Sequence, residues 1–203
     1  MAELPSGVRT SFAVLLLVVF GIKAGLFPLF FWLPDSYPTA PSPVTAVFAG
    51  LLTKVGVYAI VRTQLLLIPP VDRPTGLILW IAGLTMLVGV LGAIAQNDIK
   101  RILSFHIISQ IGYMIMGLGL FTVAGIAGAI YYVIHNVVVK TTLLLVSGLV
   151  EYSAGTSQLR KIGGIARRFP VLGWLFLLPA LSIAGIPPLS GFVGKLALVD
   201  AGI

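Results

Sequence analysis

The chain has 203 residues, 58% hydrophobic and 9% charged, and a mean hydropathy of +1.08; soluble domains carry about 25% charged residues, so lipid must solvate most of its outer surface. The absence of cysteine excludes disulfides, thiolate metal sites and cysteine-ligated iron–sulfur clusters. A net charge of +7 would point to nucleic acid in a soluble protein, but here the basic residues outside the apolar runs sit in short loops, where they set membrane topology.

Residues 1–9 lack a basic n-region and a cleavage site and read as an inter-helix loop rather than a leader. Six apolar segments of spanning length follow, at 11–33, 44–62, 76–96, 103–121, 123–149 and 170–200, each needing about 20 residues. These predict an all-α membrane protein forming a single transmembrane domain over 1–203. The first segment contains Gly25 and Pro28 within GIKAGLFPLFFWLPD. Proline removes a backbone donor and clashes with the preceding turn, so a helix breaks or kinks there. The fourth segment carries His106, Ser109 and Gln110 and must be shielded by neighbouring helices. The sixth contains Gly185, Pro187, Pro188 and Gly191 at mid-depth. The first and sixth segments cross in opposite directions. Two broken, oppositely directed helices are the sequence pointer to an inverted-repeat transporter.

Loop charges give an orientation. The loops at 34–43, 97–102 and 150–169 together carry six basic residues, and the opposite side carries Arg9, Arg62 and Arg73. The positive-inside rule makes the six-charge side cytoplasmic. Phe30, Phe31, Trp32 and Trp174 near segment ends suit an interfacial aromatic belt.

Four of the six lysines, Lys23, Lys54, Lys140 and Lys195, lie inside apolar runs. A charge at the centre of a membrane helix costs roughly 2.5–3.5 kcal/mol on insertion scales. Four such groups in one bundle imply a shared polar interior. Burial disfavours the charged form of an ammonium, so a buried lysine can accept a proton and hand it on. Histidine is the other natural relay. His135 lies on the fifth segment with Lys140, about 140° around the helix from it, and His106 opens the fourth segment as a possible further relay. The acidic residues stand at ends and in loops: Glu151 reads as solvated, and Asp35 and Asp98 as capping or positioning loops. No metal-ligand spacing, phosphate loop or nucleophile motif is present; Ser109 and Ser190 have no histidine at catalytic spacing. The reading is a proton or cation path with no metal and no cofactor.

The stretches KAGLFPLFFWLPDSYPTAPSPVTAVFAGLLTKVGVYAIVR, NDIKRILSFHIISQIGYM, HNVVVKTTLLLVSG and IAGIPPLSGFVGK resemble the proton-conducting antiporter-like membrane subunits shared by respiratory complex I, membrane-bound hydrogenases and Mrp-type sodium/proton antiporters. The Mrp D-type branch is the most similar. The resemblance implies that Lys23 pairs with a glutamate on an earlier helix and that Lys54 is a central link. It also implies that His135 and Lys140 carry the path into a second half-channel ending at Lys195. Members have about fourteen spans, so the chain is expected to be a central block of a larger subunit. The implied function is proton translocation within a multisubunit monovalent cation/proton antiporter in a prokaryotic plasma membrane. Its partners would be other hydrophobic subunits, lipid, protons and Na+, and no nucleic acid. The alternative is the proton-pumping arm of a complex I-like or hydrogenase assembly.

Overall fold

Each apolar run has the length to cross a bilayer as a helix, since a helix satisfies its backbone polar groups internally. In the computed structural model, which describes residues 5–203, the helices are α1 (Ser6–Ala24), α2 (Trp32–Thr39), α3 (Ser42–Val47), α4 (Thr53–Leu66), α5 (Thr75–Ile94), α6 (Ile99–Gly119), α7 (Val123–Ala154), α8 (Ile165–Arg168), α9 (Pro170–Ala184) and α10 (Ser190–Asp200). A π-helical turn, Phe48–Leu52, joins α3 to α4 in one continuous rod. Five helices are long and apolar enough to span, and α9 adds a shorter apolar helix. Among the described residues there is no strand beyond an isolated bridge between Asp98 and Gln158.

Both broken helices form, and they break in the same way. Gly25 and Gly185 adopt left-handed backbone, φ +81° and +91°, which glycine tolerates without a Cβ clash. The chain then folds back so that Leu26 N donates to Gly21 O and Ile186 N to Leu181 O, the closing bond of a Schellman cap. Pro28 and Pro188 follow, each after a cis peptide bond, and α2 and α10 resume the two spans. The sixth expected segment is thus α9 and α10. The first reaches past its expected limit to include α2.

Paired positions fix the directions. Gln64 of α4 donates to Ala13 O of α1 (2.9 Å), while Gly56 lies against Ala24, so the two helices are antiparallel. Gly89 of α5 lies against Ser109 of α6, and Gly119 against Ile78. Leu198, Gly194 and Gly191 of α10 meet Gly128, Tyr132 and His135 of α7 in reverse order. With Thr141 of α7 reaching Ala46 O (3.4 Å) and Ser42 packing on Gly148, α1 and the α9–α10 span run in opposite senses, as the sequence predicts.

α6 is the central helix, packed on by α5, α7, α2, α10 and α4. Ile107, Ile108, Ile111, Met114, Ile115 and Leu118 are all fully buried there. This is why a segment carrying His106, Ser109 and Gln110 can lie within a membrane protein: its polar groups face protein rather than lipid. Asp98 caps α6 by accepting from Lys100 N (2.9 Å) and Arg101 N (3.1 Å), as expected of it.

Two expectations change at the ends of the helices. α7 continues to Ala154 before Gly155 turns it off. Glu151 is therefore helical, and it pairs with Lys100 at 2.6 Å instead of standing solvated in a loop. Lys100 is correspondingly buried. The aromatic belt also fails for two residues. Phe30 is buried against Phe105, and Trp32 donates its indole N–H to Ile22 O at 2.8 Å, closing the carbonyl end of broken α1.

Candidate functional site

The interior of the bundle holds a row of polar side chains that no single helix could assemble. Lys140 of α7 is fully buried, with its Nζ 2.6 Å from His106 Nδ1 of α6. His106 Nε2 lies 3.3 Å from Gln110 Nε2, one helical turn along. Gln110 Oε1 in turn accepts a short hydrogen bond from the Tyr132 hydroxyl of α7. The Tyr132 ring stacks on His135, centroids 5.6 Å apart. His135 Nδ1 lies 3.0 Å from Ser190 Oγ, and Ser190 Oγ is 3.3 Å from Ser182 Oγ. The row therefore runs from the middle of α7 to the second helix break, where Ser190 is exposed.

Lys54 and Lys195 flank this row at different places. The π-turn puts Lys54 five residues after Ala49, and the buried Lys54 Nζ donates to Ala49 O at 2.6 Å. Lys195 is half-buried; its Nζ donates to Ile183 O (2.9 Å) and Ala184 O (3.1 Å), the free carbonyl end of α9. It also lies 5.3 Å from the Tyr113 ring centroid. Both lysines act electrostatically on Lys140.

Lys23 departs from expectation. It is exposed on the outward side of α1, beside exposed Val19 and Ile22, not in the shared interior. α1 turns its opposite side, Ala13, Leu17, Gly21 and Ala24, to the bundle, so Lys23 must project away from it. Pro28, Pro187 and Pro188 are also exposed.

His135 and Lys140 do not meet, in keeping with the angle between them around α7; Lys140 meets His106, and His135 meets Ser190. The pairing of residues 106 and 140 spans 34 positions and leaves no periodic trace in one sequence. Gln110 is legible as a polar residue four places after His106, on the same helix face. Tyr132, three before His135, gives no signal beyond that of an ordinary aromatic. Among the described residues no cluster of three or more metal-ligating side chains occurs.

Charges outside the interior gather at the two ends. At one end Arg101 pairs with Asp35 at 2.9 Å, Lys100 with Glu151, and Ser157 hydrogen-bonds Asp98. At the other end Arg9 pairs with Asp72 at 2.9 Å, and Arg73 caps Gln64 O, Leu65 O and Ile68 O.

Residues 3–203 match the model of the transmembrane family of NADH:quinone oxidoreductase and Mrp antiporter subunits. The chain belongs to this family. It is 55% identical over 198 residues to the D-type subunit of the Na(+)/H(+) antiporter of Alkalihalophilus pseudofirmus, covering 97% of this chain and 40% of that protein. It is 46% identical to the corresponding protein of Bacillus subtilis, with the same coverage. Among solved structures it superimposes on a chain of the Mrp complex from a Dietzia species with a TM-score of 0.90 at 39% identity, over 94% of this chain and 36% of that one. A chain of respiratory complex I from Thermus thermophilus gives a TM-score of 0.90 at 30% identity, over 98% and 43%. The chain thus spans about two-fifths of the length of the curated relatives it matches.

Proposed function

We propose that this chain is the central, proton-translocating block of a D-type subunit in a multisubunit monovalent cation/proton antiporter, most simply one exchanging H+ for Na+. The observation that carries the reading is the buried row Lys140–His106–Gln110–Tyr132, continuing through His135 to Ser190. A buried charge is costly in a membrane protein and marks an ion or proton path, and here the groups lie within reach of one another. Lys54 stands beside the row and Lys195 at its far end, on a broken helix of the kind that forms transport sites.

Lys23 enters this scheme from outside the bundle. Its exposed ammonium, set among apolar residues on α1, requires an anionic partner from another helix. A carboxylate on a neighbouring helix of the complete subunit fits that need. The subunit sits in a prokaryotic plasma membrane with the Asp35, Arg101 and Glu151 end in the cytoplasm, since that end gathers the larger number of basic residues. Its partners are the other hydrophobic subunits of the assembly.

A redox-driven arm of a complex I-like assembly would use the same groups. The greater identity to antiporter subunits, 55% against 30% for the complex I chain, favours the antiporter. The test is Na+-dependent proton exchange in inverted vesicles carrying the complete complex. Lys140→Ala and Lys23→Ala are each expected to abolish exchange with subunit assembly unchanged. Wild-type exchange rates in both variants would sink the reading.

A further inference from the structure

Donor and acceptor polarity along the buried row follows from the direction of the Gln110 amide, and that direction fixes a protonation state. The Tyr132 hydroxyl donates to Gln110 Oε1, which turns Gln110 Nε2 toward His106 Nε2. An amide nitrogen carries hydrogens and no acceptor lone pair, so His106 Nε2 must be the bare, accepting nitrogen. The neutral ring then carries its hydrogen on Nδ1, pointed at Lys140 Nζ. A donor there requires the lone pair of a neutral lysine amine.

We propose that Gln110 is a positioning residue that gates His106, its amide turning over as one proton enters the Lys140–His106 pair. The proposal rests on the proton-path reading above. The amide covers His106 Nε2 in the state observed. Once it turns, a proton binds Nε2, and the proton already on Nδ1 passes to Lys140 Nζ. One proton enters, one N–H bond forms at Nε2, one breaks at Nδ1 and one forms at Nζ. The ring ends neutral with its hydrogen on Nε2, and Lys140 ends as the ammonium. Gln110 Oε1 now accepts from His106 Nε2–H, and Gln110 Nε2 donates to the Tyr132 oxygen.

That reversal needs a new acceptor for the Tyr132 hydrogen. Asn136 supplies it. It lies one turn along α7, its Nδ2 donates to the Tyr132 backbone carbonyl at 3.0 Å, and its buried Oδ1 has no partner among the described residues. The two states are therefore both fully polarised rows, one the reverse of the other. The charged groups acting on the pair are Lys54 from α4 and Lys195 from α10. Tyr113 of α6 and Tyr132 of α7 are the adjoining phenols, and His135 stacks behind Tyr132. Asp35 of α2, Glu151 of α7 and Arg167 and Arg168 of α8 lie toward the end of the bundle that carries the Asp35–Arg101 and Lys100–Glu151 pairs. At the opposite end of α4 stands Arg62; Tyr58 is exposed, and Asp200 closes α10. α5, α3 and α9 contribute no titratable side chain.

The experiment is nitrogen-15 solid-state NMR of histidine-labelled complete complex in lipid, with His106 assigned by difference against His106→Gln. The expected result is the Nδ1–H tautomer at alkaline pH, converting on acidification to a neutral Nε2–H ring. Tyr132→Phe releases Gln110 to offer its oxygen to His106. It should raise the proton affinity of the pair about tenfold, moving the conversion up by about one pH unit. Gln110→Glu, an acceptor toward both neighbours, should hold the Nε2–H form throughout. An Nε2–H ring in the alkaline wild type, or an unmoved midpoint in Tyr132→Phe together with an Nδ1–H ring in alkaline Gln110→Glu, would overturn the gate. Tautomers are read without transport, so a working switch in a complex whose Lys140→Ala variant still exchanges ions would count against the proton-path reading alone.

Discussion

The two helix breaks share a backbone and differ in everything that surrounds it. Ala24-Gly25-Leu26-Phe27-Pro28-Leu29 and Ala184-Gly185-Ile186-Pro187-Pro188-Leu189 make the same left-handed turn and the same closing bonds. In the first break Ala24, Leu26 and Phe30 are buried under α4, α5 and α6; in the second Ala184, Ile186 and Ser190 are exposed. The first leaves one spare donor, Phe27 N–H, which Thr85 of α5 accepts at 3.0 Å. The second has proline at that place and no donor to satisfy. The carbonyl end of α1 is closed by the neutral Trp32 indole, and that of α9 by the Lys195 ammonium. One backbone device is thus closed by a neutral indole at one break and by a lysine side chain at the other. What a broken helix can do is set by the side chains that answer its freed backbone groups.

The largest expected effect lies where the two breaks differ in closeness. A Cβ on Gly191 would collide with Ser182 O and stand 2.7 Å from Ser182 C, and backbone cannot yield as a side-chain tip can. The corresponding place after the first break holds Phe31, whose side chain is exposed. Gly191→Ala should therefore cost about 3 kcal/mol or more and leave little folded subunit in a detergent melting assay. Gly163→Ala, with open space around it, is the control and should melt as the wild type does. Equal melting of the two variants would mean that α10 is not seated on α9 as closely as described.

The breaks themselves were legible because glycine and proline report backbone demands locally, whatever packs around them. Gly25 with Pro28 and Gly185 with Pro188 announce a stop and a restart in any environment. The polar row was half legible for the converse reason. Lys54, Lys140 and the histidines stood out as costly in an apolar run, but their partners come from other helices. His106 meets Lys140 across two helices, and the register of α6 against α7 that brings them together depends on Gly117 and Gly125 packing face to face. Lys54 meets Ala49 O through a π-turn that FAGLL does not advertise. Lys23 shows the limit most plainly: the sequence marks it as anomalous in lipid, while its outward direction depends on which side of α1 the other helices cover.

The donor left over at the first break gives an effect of intermediate size. Thr85→Val keeps the shape of the side chain but leaves Phe27 N–H buried without its acceptor, a loss of about 1–3 kcal/mol. If the comparison is right, making the first break resemble the second should relieve it. Phe27→Pro deletes the donor, and Pro187 shows that this backbone accommodates the ring. The double variant Thr85→Val, Phe27→Pro should then melt above Thr85→Val alone, apart from the packing lost with the Phe27 ring against Phe30. A double-mutant cycle on the melting free energies isolates the term. Additive losses would show that Thr85 serves the first break through packing and not through its hydroxyl.

The smallest structural effect separates a cap from an ion site. Trp32→Phe removes one N–H donor from Ile22 O, and Lys195→Met removes the donor to Ile183 O and Ala184 O while keeping an unbranched side chain. A single hydrogen bond contributes about 1 kcal/mol net and a charge-assisted one about twice that; the second Lys195 bond, to Ala184 O, is exposed and adds little, so the two variants should differ in stability by no more than about 1–2 kcal/mol. Their transport should differ far more. Lys195 lies at the end of the buried row and acts on Lys140 and His135 electrostatically, whereas Trp32 has no charge to lend. Lys195→Met is therefore expected to lose most exchange activity in inverted vesicles, and Trp32→Phe to keep most of it at equal complex content. Matched activity losses in the two variants would reduce Lys195 to a helix cap, and the two breaks would then differ in burial but not in purpose.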